Sequence, residues 1–348
     1  MPSRSVGIFE DVLKNSRSIS DIYYNDNALQ TELSDNPIAF NDLLQATRER
    51  MQVDGGIHRI SKIATATVDE IELAHTAGHI AAVDGTNAIA PTESMSKTVY
   101  ATAVISTTSQ TLHDPRISLT ESHRQIPRLA KDEDFFKFIQ RLDDWVDQDY
   151  SWVRTFREYC ERKEAMRLID EQDTQLVLVD GPLYTQNLLT QLTARRGILD
   201  EMQNHSGRLI GFIKNLHSSK IMHLAGMALQ PDEYWTVSNW RNVLLSRFKN
   251  DKTKTQWINS ARSDWVRTIY RKTAKAFAFE CHPSLVNTGV ALIMSPVACA
   301  TIINHEIPFL LHCADRIIQA RVDAVAKSKN LISASPYYAN LANERVFR

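Results

Sequence analysis

Two short stretches restrict the fold more than anything else in this chain. IAAVDGTNAI at 80–89 and LVLVDGPLYT at 176–185 each run four apolar residues into an aspartate followed at once by glycine. A continuous apolar run of this length suits a strand buried on both faces, which needs helices packed over the sheet. An Asp-Gly pair after a strand suits an ordinary turn, with Asp capping and Gly taking φ > 0. Its recurrence at Asp84 and Asp180 also puts two carboxylates at strand ends, where open α/β sheets usually hold functional groups. On neighbouring strands, such a pair could share a divalent cation whose charge offsets their repulsion. The place two residues before each aspartate holds Ala82 and Leu178. That excludes the aspartate nucleophile of haloacid-dehalogenase phosphatases and the lysine of a nucleotidyltransferase K-x-D-G.

The surrounding pattern predicts helix, strand, helix, strand. SDNPIAFNDLLQATRERM reads as a helix after an Asn-Pro start, within a helical and loop region over residues 1–75. Residues 79–84 read as a strand, and the Asn/Pro/Thr-rich 86–94 as its connection to TVYATAVIST, a second strand; ISLTES at 117–122 suits a third. From 132 to 172 the spacing is helical, without glycine or proline. QLVLVD, a helix over LYTQNLLTQLTARRGILDEMQNH, and the strand RLIGFIKN follow. AFAFECHPS suits a strand, and a turn at Pro308 leads into a long amphipathic helix. The fold class expected is α/β, a mixed sheet flanked by helices with an additional helical N-terminal region. The expected boundaries are 1–75, a core domain at 76–325 with a basic and aromatic insertion at 240–275, and a tail at 326–348.

The composition narrows the function. Of 348 residues, 43% are hydrophobic and 23% charged, so the chain can build a core. Net charge is −1, so any nucleic-acid surface must be a local concentration of basic residues. None of the eleven glycines builds a G-x-G-x-x-G or a Walker P-loop. Cys160, Cys281, Cys299 and Cys313 form no C-x-x-C pair and suit no zinc site. The N-terminus lacks an apolar signal core, and no apolar run reaches the roughly 18 residues of a membrane span. A cytoplasmic, soluble protein with reduced thiols is the expectation.

Metal-dependent phosphodiester hydrolysis generally takes three or four acidic or histidine ligands. Glu158, Glu161 and Glu164 lie on the helix before the second Asp-Gly strand, where the alternative is a solvated helix face. His312 lies among apolar residues in IPFLLHCAD, three before Asp315, where the alternative is a packed core histidine. Lys214 ends a strand and is placed to stabilise a phosphorane-like transition state, or simply to meet water.

The stretch 241–275 carries ten Lys/Arg against Asp251 and Asp264. Trp257, Trp265, Phe248 and Tyr270 are interleaved. Basic groups neutralise phosphates, and aromatic faces stack unpaired bases at about 1–3 kcal/mol each. This gives a candidate DNA-tracking surface with Arg262, Arg267, Tyr270, Arg271 and Lys272; a charged helix or loop with its tryptophans turned inward is the alternative.

The ordered set V-D-G, CERKEAMRLI, LVLVDGPL, LIGFIKN and IPFLLHCADRII, over roughly 79–320, resembles the NurA nucleases, partners of the HerA translocase in DNA end processing and repair. The resemblance implies an RNase H-like core and a manganese- or magnesium-dependent DNA nuclease. By match, Asp84, Glu164, Asp180 and His312 would hold the metal, with Lys214 from the G-x-x-K beside them. Glu164 is matched by its sixteen-residue distance to Asp180, while Glu161 shares its helix face. The first motif departs from the family: it reads D-G-T-N where many relatives carry D-G-S and a basic residue. DNA, a HerA-like hexameric ATPase and a second copy of the chain are the implied partners. The competing readings are a catalytically inactive scaffold for a ring ATPase and an RNase H-like nuclease acting on RNA.

Overall fold

The computed structural model describes residues 37–91, 97–125, 154–170, 173–185, 196–216, 220–237, 245, 249–250, 252, 255–256, 258, 265–299 and 306–328. In chain order the elements of the described residues begin with α1 (Pro37–Val53), β1 (Ile57–Arg59) and α2 (Thr65–Thr76). A meander follows: β2 (Ile80–Pro91), β3 (Lys97–Thr108) and β4 (Arg116–Gln125). Then come α3 (154–170), β5 (Leu176–Asp180), α4 (Arg196–Asn204), β6 (Leu209–Ile213), α5 (Lys220–Ala228) and β7 (Glu233–Val237). β8 (Val266–Arg271), β9 (Ala276–Cys281), α6 (Val286–Met294) and α7 (Phe309–Ser328) complete the elements of the described residues. The class is α/β, a mixed sheet flanked by helices.

Most elements form where the periodicity places them. Pro37 occupies the first turn of α1, where its missing N–H costs nothing. The β-branched run of β3 and the all-apolar run of β5 both become strands. The first Asp-Gly pair differs from expectation. β2 does not stop at Asp84 but runs on to Pro91, with Asp84 opposite Ile105 and Gly85 opposite Val104 on β3. Antiparallel pairing with β3 supplies the ladder bonds that a turn would have forgone, so the connection begins only after Pro91. Gly85 is not among the residues with positive φ, whereas Gly181 is, at +83°. Two identical dipeptides thus do different work: the second turns the chain, the first lies within a strand. β8 also arises inside the basic stretch read as an insertion.

The chain divides into two compact units. The first contains the described parts of 1–69 and 212–307. Its strands β1, β7, β8 and β9 are successively antiparallel, with Ile57 opposite Trp235 and Val237 opposite Arg267. α1 and α5 pack together, and Met51, Met222, Trp235, Ile258 and Ile269 form a buried cluster. Arg48 donates to both carboxylate oxygens of Glu233, at 2.6 and 2.7 Å, a two-pronged pair that fixes geometry as well as charge.

The second unit contains 70–211 and the chain from Pro308 onward. Its strand order is β4-β3-β2-β5, with β6 beside β5. β2, β3 and β4 are antiparallel, and β5 runs parallel to β2. Residues 80–85 are buried without interruption, so both faces of β2 are covered. α7 lies against β2, β3 and β5, burying Leu310, Leu311, Ala314 and Ile318 at helical spacing. Among the described residues no helix is long and apolar enough to cross a membrane.

Candidate functional site

The parallel register brings the two aspartates together. Ile80 pairs with Leu176 and Val83 with Val179, so Asp84 and Asp180 follow at the same level on adjacent strands. Adjacent strands lie about 4.8 Å apart, and residues in register project from the same face. Asp84 is 1% exposed, and its Oδ1 accepts the Gly85 N–H at 2.7 Å. Asp180 is half-buried at the last position of β5. Gly181, in the left-handed region, then turns the chain so that Pro182–Thr185 meets α3. A nearby Cβ would be intolerable at Gly211, 2.5 Å from the Gly181 carbonyl oxygen, so β6 must approach this turn without a side chain.

α3 contributes a dense set of buried charges. Glu161 is 3% exposed and lies between Arg157, at 3.3 Å, and Arg162, which donates at 2.5 Å. Burial pushes the Glu161 carboxyl up, the Arg157 and Arg162 charges pull it down, and Glu158 and Asp180 push it up again; the net direction is upward. Glu161 therefore feels the charge of Asp180. Arg162, 1% exposed, also donates to the Pro182 carbonyl at 2.5 Å. Thr185 donates to Glu158 at 2.5 Å. A Cβ on Gly85 would come within 2.6 Å of Glu161 Oε1, so this glycine makes room for the carboxylate.

Glu164 stands apart. It accepts from Ser106 Oγ at 2.6 Å and from Arg167 at 2.6 and 2.9 Å, with Arg116 at 3.9 Å. Burial raises its carboxyl, but the Arg167 and Ser106 hydrogen bonds and the Arg167 and Arg116 charges together take it below the usual range. Ser106 lies opposite Val83 on the paired strand, so Val83 and Gly85 face α3 while alternation sends Asp84 to the other face. This accounts for a further observation: among the described residues no three acidic, histidine or cysteine side chains enclose a common point. His312 is half-buried on α7, its N–H donating to the Pro308 carbonyl at 3.3 Å. Lys214 is half-buried just after β6, in the first unit.

The expected nucleic-acid residues fare differently. Arg262 lies outside the described residues, as do Trp257 and Phe248. Tyr270 is fully buried, with its hydroxyl donating to the Glu306 carbonyl at 2.7 Å; it has no face for a base, and burial raises its phenol well above the ordinary range. Trp265 is 2% exposed. Arg267 pairs with the buried Glu280 at 3.0 Å, Arg271 donates to the Leu229 carbonyl, and Lys272 to the Ile293 carbonyl. The physical reason for the correction is β8: strand alternation turns this part of the basic run into core and into internal hydrogen bonds.

The sequence reading did not single out Arg157, Arg162 or the spatial demands of Gly85 and Gly211. The Arg157-x-x-x-Glu161 spacing, a helix i,i+4 pair, is the signal that pointed there.

A family profile described as NurA domain matches residues 78–262, more than half of the chain. Similar solved structures include the NurA nuclease from Sulfolobus solfataricus, 10% identical, covering 72% of this chain and 83% of that one, with a TM-score of 0.41. A structure described as NurA is 8% identical, covers 80% and 98%, and has a TM-score of 0.43. One described as NurA bound to dAMP and manganese is 7% identical, covers 74% and 92%, and has a TM-score of 0.41. No curated protein matches. With the profile spanning both Asp-Gly strands and the charged helix between them, the chain belongs to the NurA family.

Proposed function

We propose that this chain is a metal-dependent DNA nuclease with an RNase H-like core. The observation that carries the proposal is the parallel register that ends with Val83 opposite Val179, one residue before Asp84 and Asp180, inside the segment matched by the NurA profile. A β4-β3-β2-β5 order, with the carboxylates on its parallel pair, supports the RNase H-like reading.

Two hard carboxylate oxygens side by side fit Mn²⁺ or Mg²⁺ in donor chemistry and in charge. Asp84 and Asp180 would hold the ion. Glu161 and Glu164 both reach the sheet from the α3 side, opposite Asp84, so neither is proposed as a ligand; Glu164 is engaged by Ser106 and Arg167, and Glu161 is tied through Arg162 to the turn after Asp180. His312 remains the proposed late ligand or base. When bound, the ion would supply water activation and stabilisation of the departing oxygen. The chain's own part is to hold Asp84 in a buried place, with its Oδ1 on the Gly85 N–H, and to hold Glu161 between two arginines. Lys214 is proposed to orient a phosphate. A HerA-like ring ATPase and a second copy of the chain are proposed partners; the sequence carries no Walker P-loop with which to drive long-range processing itself.

The test is digestion of end-labelled single- and double-stranded DNA with Mn²⁺, beside Asp84→Asn and Asp180→Asn proteins shown to be folded. Cleavage by the natural chain and its loss in both variants is expected. Full activity in both ends the proposal, and cleavage restricted to RNA redirects it.

A further inference from the structure

We propose that Arg162 is a positioning residue that sets the distance between the Glu161 carboxylate and the Asp180 turn. The proposal rests on the nuclease reading above and goes one layer behind it. Arg162 is 1% exposed, although arginine is almost never fully buried unless paired. One prong of its guanidinium, Nη1, donates to Glu161 Oε2 at 2.5 Å. The other, Nη2, donates to the Pro182 carbonyl at 2.5 Å. Pro182 lies two residues beyond Asp180, across Gly181 at φ +83°. A planar, rigid fork thus joins the helix that carries Glu161 to the turn that ends β5.

The geometry distinguishes this from ordinary ion pairing. A carboxylate alone would be served by Arg157, which already lies 3.3 Å from Glu161. What Arg162 adds is the second prong, directed to a backbone carbonyl that follows Asp180. Lysine carries the same charge but only a point ammonium, and it cannot span the two acceptors in a fixed plane. Such outer groups orient the residues that meet a metal, and their loss typically lowers metal affinity or activity about 10- to 100-fold. Arg162 touches neither of the two aspartates proposed to hold the ion, so its effect must pass through Glu161 and the turn.

The experiment compares the full chain with Arg162→Lys and Arg162→Gln. Folding is followed by circular dichroism and thermal unfolding, Mn²⁺ binding by the loss of the free-ion EPR signal, and cleavage by kcat and KM for DNA. The expected result is a folded Arg162→Lys protein whose half-saturating Mn²⁺ rises about tenfold or more. Its kcat falls while its KM for DNA stays near that of the natural chain. Unchanged Mn²⁺ binding in folded Arg162→Lys overturns the proposal. Failure of both variants to fold assigns Arg162 to stability and overturns it too. So does the absence of Mn²⁺ binding by the natural chain. Asp84→Asn and Asp180→Asn separate the two ideas: if both cleave normally, the nuclease reading fails, and the Mn²⁺ titration of Arg162→Lys still decides the role of Arg162.

Discussion

Gly85→Ala is the sharpest perturbation of the region around Asp84. An alanine Cβ would lie 2.6 Å from Glu161 Oε1, 2.9 Å from Glu161 Cγ and 3.0 Å from Arg157 Cγ. These distances are below contact, so something must shift. Glu161 cannot retreat freely, because it is buried between Arg157 and Arg162. Overpacking of this kind costs about 1–3 kcal/mol. Pulling a buried carboxylate partly off its arginines adds to that, since a fully uncompensated buried charge costs about 3–5 kcal/mol. We expect Gly85→Ala to lose about 2–4 kcal/mol in urea unfolding. In a Glu161→Ala background the obstructing carboxylate is gone and only the Arg157 contact remains. There the same substitution should cost under about 1 kcal/mol, a coupling well outside the additivity of independent sites. A loss under about 0.5 kcal/mol in the natural chain, or equal costs in both backgrounds, refutes the reasoning.

Three further outcomes follow from the same geometry. Gly211→Ala puts a Cβ 2.5 Å from the Gly181 carbonyl oxygen and 2.9 Å from the Leu183 nitrogen, backbone that cannot rotate aside; a loss of about 2–3 kcal/mol in urea unfolding is expected. Glu164 has its carboxyl held below the usual range, so its contribution to stability is full above that range and lost as pH falls through the folded value. Glu164→Gln should therefore flatten the acid limb of the stability-versus-pH curve, with the largest deficit near neutrality. Tyr270→Phe removes the hydroxyl bond to Glu306 and should cost about 0.5–1.5 kcal/mol in thermal unfolding while leaving DNA affinity by fluorescence anisotropy unchanged.

The basic stretch shows where sequence bias misleads. Ten Lys/Arg with interleaved aromatics read as a surface, yet Tyr270 and Trp265 are core and Arg267 serves a buried glutamate. Composition counts charges but not directions. Direction came from β8, whose alternation depends on pairing with β7 and β9, strands about 30 residues before it and directly after it.

The helix carboxylate shows the same limit from another side. Glu158, Glu161 and Glu164 are chemically alike, and spacing to Asp180 favoured Glu164. Only packing separated them, because Ser106 and Arg167 come to Glu164 while Arg157, Arg162 and the charge of Asp180 come to Glu161.

The sequence by itself determined β2 to β6 and β9, the charged helix before β5 and the two aspartates that follow apolar runs, since local periodicity and burial are written residue by residue. The tertiary structure alone decided that Asp84 and Asp180 share a register, that one Asp-Gly is a turn and the other continuous strand, and that Arg162 links Glu161 to Pro182. Those facts depend on which segments meet across the fold, and hydrogen-bond ladders and buried ion pairs between distant segments leave no local signature in the chain.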